Sequence, residues 1–196
     1  MGRWGETDVE PGATVEELVV AARRGERAAF AGLYTVFAAQ VAGYVRGFGV
    51  PDPDDTVGEV FVSVIRNIDR FEGNGDDFRR WLFTIAYRRA MDAHRQQFGR
   101  PEDPTDPGDV RELREASIDD LADRVVDRIH AGSQLQDAID RLTDEQRAVI
   151  LLRIVSDFSV ADTAVILRKR PGAVKTLQRR ALAALRRHLG STTAVA

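Results

Sequence analysis

The sequence predicts an all-α protein built as two small helical domains. Three observations carry that expectation. Apolar residues recur at helical spacing through most of residues 15–98 and 135–190, and no stretch alternates in the manner of a strand. Residues 99–110 (GRPEDPTDPGDV) hold three Pro and two Gly, the punctuation of a linker. The chain therefore divides into an N-terminal arm (1–14), a first domain (15–98), a linker (99–134), a second domain (135–190) and a tail (191–196).

In the first domain, Val15, Leu18, Val19 and Ala22 make a short amphipathic helix that ends near Gly25. A longer stripe follows at Phe30, Leu33, Tyr34, Phe37, Val41, Tyr44, Val45 and Phe48, and Gly49-Val50-Pro51-Asp52-Pro53 breaks it. Asp52, Asp54 and Asp55 suit the positive N-terminal end of the next helix, whose stripe is Val57, Val60, Phe61, Val64, Ile65 and Ile68. After Gly73-Asn74-Gly75 a fourth helix opens with Phe78, Trp81, Leu82 and Ile85 and runs into Arg88, Arg89 and Arg95.

The second domain begins near Leu135. Thr143 to Gln146 is a capping-box pattern, in which a hydroxyl and an amide three residues apart satisfy two orphan backbone N–H groups. Val149, Ile150, Leu152 and Ile154 then face a core. Ser159 restarts a helix carrying Val160, Ala164, Ile166 and Leu167, and Pro171-Gly172 opens another with Val174, Leu177, Ala181, Leu185 and Leu189 on one stripe. Lys175, Thr176, Gln178, Arg179 and Arg180 fall largely off that stripe. A short helix, a tight turn and a second helix with a polar-basic face is the arrangement that presents a helix to the major groove. The turn carries Arg168 where a glycine is usual, and a non-glycine residue at positive φ costs about 1–2 kcal/mol.

The net charge of −3 is a cancellation. Residues 1–100 have 13 Arg against 15 acids, residues 101–140 have 4 Arg against 12 acids, and residues 141–196 have 11 Lys+Arg against 4 acids. The basic second domain is suited to phosphates. Zero Cys excludes disulfides, thiolate zinc sites and a cysteine nucleophile. His94, His130 and His188 lack metal-ligand spacing, and no glycine-rich loop matches a nucleotide cradle. No intrinsic active site is expected. Neither a signal peptide nor a long apolar span is evident, so a cytoplasmic location without membrane insertion is expected.

Four stretches, in order, resemble the extracytoplasmic-function (ECF) type of bacterial RNA polymerase sigma factor. VEELVVAARRGERAAFAGLYTVFAAQV is similar to the opening helices of that family. DPDDTVGEVFVSVIRNIDRFEG is similar to its core-binding helix and following loop, and FRRWLFTIAYRRAMDAHR to its promoter-melting helix. IDRLTDEQRAVILLRIVSDFSVADTAVILRKRPGAVKTLQRRALAALRRHL resembles its second conserved domain. The chain departs from the usual pattern at Gly58 (usually Gln), Ile65 (commonly Trp), Arg88 (commonly Asn) and Arg168.

The resemblance implies a transcription initiation factor that binds core RNA polymerase and promoter DNA, as duplex and as melted strand. Asp55, Val57, Glu59 and Phe61 would dock on the polymerase. Asn67, Phe71, Asn74 and Phe78 would capture a base of the downstream (minus-ten) element, with Trp81 beside them. Arg79, Arg80, Arg88, Arg89 and Arg95 would track the phosphates of the melted strand. Pro171, Gly172, Lys175, Thr176, Arg179 and Arg180 would enter the major groove of the upstream (minus-thirty-five) element. The acidic segment 101–127 would lie in a basic channel of the polymerase. An anti-sigma partner is expected, as for many members of the family. No cofactor, metal or small-molecule substrate is implied, and no further C-terminal domain is expected. A stand-alone helix-turn-helix regulator is one alternative. A sigma-like decoy that binds polymerase without opening promoters is another.

Overall fold

A computed structural model describes residues 13–99 and 133–191. The arm up to residue 12, the linker over 100–132 and the tail from 192 lie outside the described residues. Among those described the elements are helical throughout. They are α1 (Val15–Arg23), α2 (Arg27–Phe48), α3 (Pro53–Asn67), α4 (Gly75–Phe98), α5 (Ser133–Asp140), α6 (Asp144–Ile150), α7 (Val160–Leu167) and α8 (Pro171–Ser191). A 3₁₀ turn (Ile68–Arg70) follows α3, and a π-turn (Leu151–Val155) extends α6.

Local chemistry sets most of the boundaries. Thr14 and Glu17 form a capping box on α1, Asn74 and Asp77 one on α4, and Thr143 and Gln146 the expected one on α6. Asp52 caps α3, with Pro53 in the first turn where its missing N–H costs nothing. Ser159 caps α7. Helix α2 stops at Gly49, whose φ of 78° is left-handed. Helix α7 stops the same way at Arg168 (φ 53°, ψ 43°), where Lys169 N–H reaches the Ala164 carbonyl at 2.9 Å. The turn thus keeps the usual backbone without the usual glycine, and the Arg168 side chain lies in solvent.

Helix α2 runs through the middle of the first half. Leu33, Phe37, Val41, Tyr44, Val45 and Phe48 are buried against α1, α3 and α4. By length and composition α2 is also apolar enough to cross a membrane, a span the sequence reading did not single out. Its apolar side is packed inside the protein. Two members of the expected stripes face outward: Tyr34, whose ring lies 4.7 Å from Phe61, and Ile65.

The two halves touch extensively. Phe83 of α4 meets Phe158 with ring centroids 4.8 Å apart, and one apolar core continues from Phe83 and Ala86 into Leu151, Leu152, Ala164 and Ile166. A glycine on α2 makes room. A Cβ at Gly47 would stand 2.5 Å from Leu151 Cδ2, whereas one at Gly43 would make ordinary contact with Val155 Cγ1 at 3.9 Å. Helix α7 packs against α4. A smaller core holds α5, α6 and α8 together through Ile139, Leu142, Ile150, Leu182 and Leu185.

Arg147 of α6 ties this junction together and is only 3% exposed. It donates to the carbonyls of Phe48 (2.6 Å), Ile139 (3.3 Å) and Asp140 (2.9 Å), the last residues of α2 and α5. It also lies 2.8 Å from His94 Nε2. Arginine only donates, so that nitrogen accepts and the proton of neutral His94 sits on Nδ1, facing Asp144 Oδ1 at 3.5 Å.

Candidate nucleic-acid interface

The segment from Asn67 to Asp77 is held by its own polar side chains. Asn67 donates to the Ser63 carbonyl (2.8 Å), and Asn74 Oδ1 accepts from the Asp77 N–H (3.0 Å). The Asp77 carboxyl is held below its ordinary value by the backbone bond from Asn74 and by Arg80. Asn67 and Asn74 are exposed at this loop, as a base-reading role requires. Phe71 and Phe78 are not. Both are buried, meeting edge to face (5.7 Å) and lying tilted against Trp81 (5.1 and 5.8 Å). Their expected role as a stacking wall is corrected: they are core, because the loop brings Phe71 back onto the first turns of α4, where its ring packs with Phe78 and Trp81. Trp81 is partly buried against the same core.

Beside the loop lies an open cleft of about 430 Å³, where the N-terminal ends of α1 and α4 meet α2. Val36 and Phe37 form its apolar wall, and Thr14, Gln40, Asn74 and Arg79 bring polar groups to it. Thr14, Val36 and Gln40 were invisible as site residues in the sequence. Only their convergence in space singles them out.

The five arginines of α4 fall into two groups. Arg88, Arg89 and Arg95 are exposed. Arg89 donates to Ser63 Oγ (3.0 Å) and lies 3.4 Å from Glu59, while Arg95 lies 3.8 Å from Asp144. Arg79 and Arg80 instead face the second half. The Arg79 guanidinium sits 4.1 Å above the Phe158 ring and donates to the Ser156 carbonyl. Arg80 donates to Asp162 Oδ1 (2.8 Å) and to Asp77. All five were expected along the melted strand; in this arrangement Arg88, Arg89 and Arg95 are exposed to solvent, whereas Arg79 and Arg80 are engaged by the second half.

On α3, Asp55 and Glu59 are exposed, whereas Val57 and Phe61 are buried in the core. The sequence reading placed all four at the polymerase contact. The outward apolar residues are Val62 and Ile65, each 44% exposed. Helical phase explains the difference: 57, 61 and 64 share the inward side, and 55, 59 and 62 lie on the other. Gly58 is on the exposed side, with nothing within 4 Å of a built Cβ.

The N-terminal turns of α8 present the expected basic face. Pro171, Gly172, Lys175 and Arg180 are exposed, and Thr176 and Arg179 are partly so. Val174 and Gln178 turn inward, with Arg153 Nε donating to the Gln178 side chain (3.4 Å).

This arrangement of two helical halves has known counterparts. Residues 33–98 match Sigma-70 region 2, and residues 133–185 match Sigma-70, region 4. The chain is 34% identical over 180 residues to the ECF RNA polymerase sigma factor BldN of Streptomyces coelicolor, covering 90% of this chain and 66% of that one. It is 32% identical over 138 residues to SigX of Bacillus subtilis, covering 69% and 70%. To SigK of Mycobacterium ulcerans it is 30% identical over 178 residues, covering 86% and 90%. The chain belongs to the ECF RNA polymerase sigma factors. As a sigma factor it is a polymerase-binding, promoter-recognising subunit of transcription initiation, from a family without catalytic activity of its own. Among solved structures it is similar to CnrH in complex with the cytosolic domain of CnrY, with a TM-score of 0.67 and 26% identity over 91% of this chain and 99% of that one.

Proposed function

We propose a division of labour within this sigma factor. The first half docks on core polymerase through the outer side of α3, with Asp55, Glu59, Val62 and Ile65 in contact. Apolar residues ringed by acids suit a basic partner helix. The loop from Asn67 to Asp77 and the cleft beside it take a base of the downstream element, and Arg88, Arg89 and Arg95 hold the neighbouring phosphates. Val36 supplies an exposed apolar wall, and Gln40 and Asn74 supply hydrogen-bonding groups, which are the two needs of an extruded base. The second half reads the upstream element with Lys175, Thr176, Arg179 and Arg180. Arginine and lysine there can serve guanine edges or phosphates.

The observation that carries the reading is the exposed basic face at the start of α8, on a helix-turn-helix, in a chain whose region 2 and region 4 matches occur in sigma-factor order. Acting with polymerase on promoter DNA places the chain in the cytoplasm, and the CnrH–CnrY complex supports a regulatory protein partner for this chain too.

Run-off transcription with purified core polymerase on promoters of the host genome tests the proposal. Transcripts that depend on this chain are expected. Lys175→Glu should lower upstream-element binding by about tenfold, in the range of one lost base or phosphate contact, without changing core binding. Equal loss of both overturns the division of labour. Core binding with no transcript from any promoter indicates the decoy. Specific duplex binding without core indicates the stand-alone regulator.

A further inference from the structure

The turn between α7 and α8 carries three cations in a row, and the fold uses only the middle one. Lys169 Nζ lies 2.6 Å from Glu145 Oε1, at the start of α6. Arg168 and Arg170 on either side are exposed, and neither side chain has a hydrogen-bonded or ion-paired partner among the described residues. Their backbone is nevertheless pinned. The Arg168 N–H donates to the Val165 carbonyl (3.1 Å), and the Arg170 carbonyl accepts from Ala173 (2.9 Å) and Val174 (3.2 Å). Residues 168–180 hold six Lys and Arg and no acid, so no carboxylate of this segment competes for the two arginines.

Arg168 is also strained. Its φ of 53° and ψ of 43° are left-handed, a conformation that crowds any Cβ and leaves glycine untouched. The other described non-glycine residue at positive φ is Asp157 (φ 48°), of a type whose short polar side chain tolerates this backbone. Arginine has no such local compensation. Nothing in the described fold offsets the strain at Arg168, because the side chain touches no partner. Strain held at an exposed, unpaired cation points to a use outside the fold.

We propose that Arg168 and Arg170 form a phosphate clamp on duplex DNA at the rim of the upstream element, and that the arginine at the left-handed turn serves this contact rather than the fold. The proposal rests on the reading of α8 as the groove-entering helix. A helix with its side chains is about 10–12 Å across and the major groove about 12 Å wide. With the first turns of α8 in the groove, the residues just before Pro171 meet the phosphates that wall it. A guanidinium presents a planar fork of donors that matches two phosphate oxygens. Such contacts carry no sequence information and instead fix how the helix lies. The clamp therefore sets the register at which Lys175, Thr176, Arg179 and Arg180 meet the bases.

Arg168→Gly removes the contact and the strain together, so DNA binding and stability should move in opposite directions. The assay is filter binding of the full-length chain with core polymerase to a promoter duplex that gives a chain-dependent transcript, titrated with salt. Affinity should fall about eightfold at about 0.1 M salt, and the slope of log K on log salt should become shallower by about 0.9, the release of one phosphate contact. The thermal midpoint of the free chain should not fall. Arg168→Lys keeps the charge and should recover most of the affinity. Arg170→Gln should repeat the loss, and the double variant should reach about sixtyfold. Arg24→Gln removes an exposed charge far from the proposed contacts and should leave affinity and slope unchanged.

Phosphates are blind to sequence, so a changed base pair in the upstream element should weaken the parent and Arg168→Gly by the same factor. Unequal factors show base reading and overturn the phosphate assignment. Unchanged affinity and slope in Arg168→Gly, with Lys175→Glu still impaired, overturns the clamp and leaves the reading of α8 standing. Normal binding by both variants, or no promoter that yields a transcript, defeats that reading and the clamp falls with it. A lowered thermal midpoint in Arg168→Gly, a loss confined to core-polymerase binding, or an equal loss in Arg24→Gln also overturns the clamp.

Discussion

Replacing Arg147 by Ala offers the sharpest test of how the two halves are joined. Its guanidinium donates to three backbone carbonyls and lies 2.8 Å from His94 Nε2, at 3% exposure. Truncation leaves the Phe48, Ile139 and Asp140 carbonyls without this donor, at about 1 kcal/mol or more for each buried acceptor. Removing one member of a buried charged network costs about 3–5 kcal/mol. The lower end applies here, because the Asp140 side chain is 50% exposed and water can reach that side. A loss of about 3 kcal/mol lowers Tm by about 6–12 °C in a chain of this size. Urea denaturation followed by circular dichroism measures it. The variant should also unfold in two steps, since Arg147 links Phe48 and His94 of the first half to Ile139 and Asp140 of the second. Arg147→Lys keeps the charge but cannot serve diverging carbonyls, and should recover less than half of the loss. A loss below about 1 kcal/mol, or full recovery by lysine, refutes the assigned role.

His94 gives a pH dependence of defined sign. Burial and then the adjacent Arg147 hold its pKa below the ordinary 6.5, while Asp144 and Asp140 oppose the shift and Arg95 assists it. The rings of Phe48 and Phe98 pack against it, at 5.7 and 4.8 Å between centroids. The folded chain thus takes up this proton less readily than the unfolded chain. Stability is full above 6.5 and falls as the pH drops from there toward the lower folded value. Urea melts between about pH 5.5 and 7.5 should show this slope, and His94→Gln should flatten it; equal slopes refute the assignment. Arg168→Gly should stabilise the turn by about 0.5–1 kcal/mol, the left-handed strain less the added freedom of the unfolded glycine. A destabilised variant would reveal a contact of that exposed side chain. Gly58→Ala, on the open side of α3, should add about 1 kcal/mol from helix propensity alone, and thermal denaturation checks both.

Periodicity and capping chemistry made the helices legible before any coordinates. Thr143 and Gln146 close their box, and Arg168 adopts the left-handed turn that its position demanded. Both are local events, decided within four residues. What stayed illegible was decided by distant partners. Phe71 and Phe78 have the residue type of base-stackers, yet their rings find Trp81 and stay in the core. Val57 and Phe61 sit beside exposed acids in sequence and on the opposite side in space. Arg147 reads as one more solvated charge in the run DEQR, and nothing in its neighbours announces three carbonyls from two other helices. Arg79 and Arg80 read as phosphate-binding residues in the sequence, yet here Asp162 and Phe158 of the second half receive them.

Gly47 never faces DNA or polymerase in any part of the proposed mechanism, yet its missing side chain admits Leu151 and so helps hold the halves together. A larger residue at Gly47 would crowd Leu151 and loosen the seat between α2 and the π-turn. A position remote from every proposed contact with DNA or polymerase thus sets how firmly the two halves are joined.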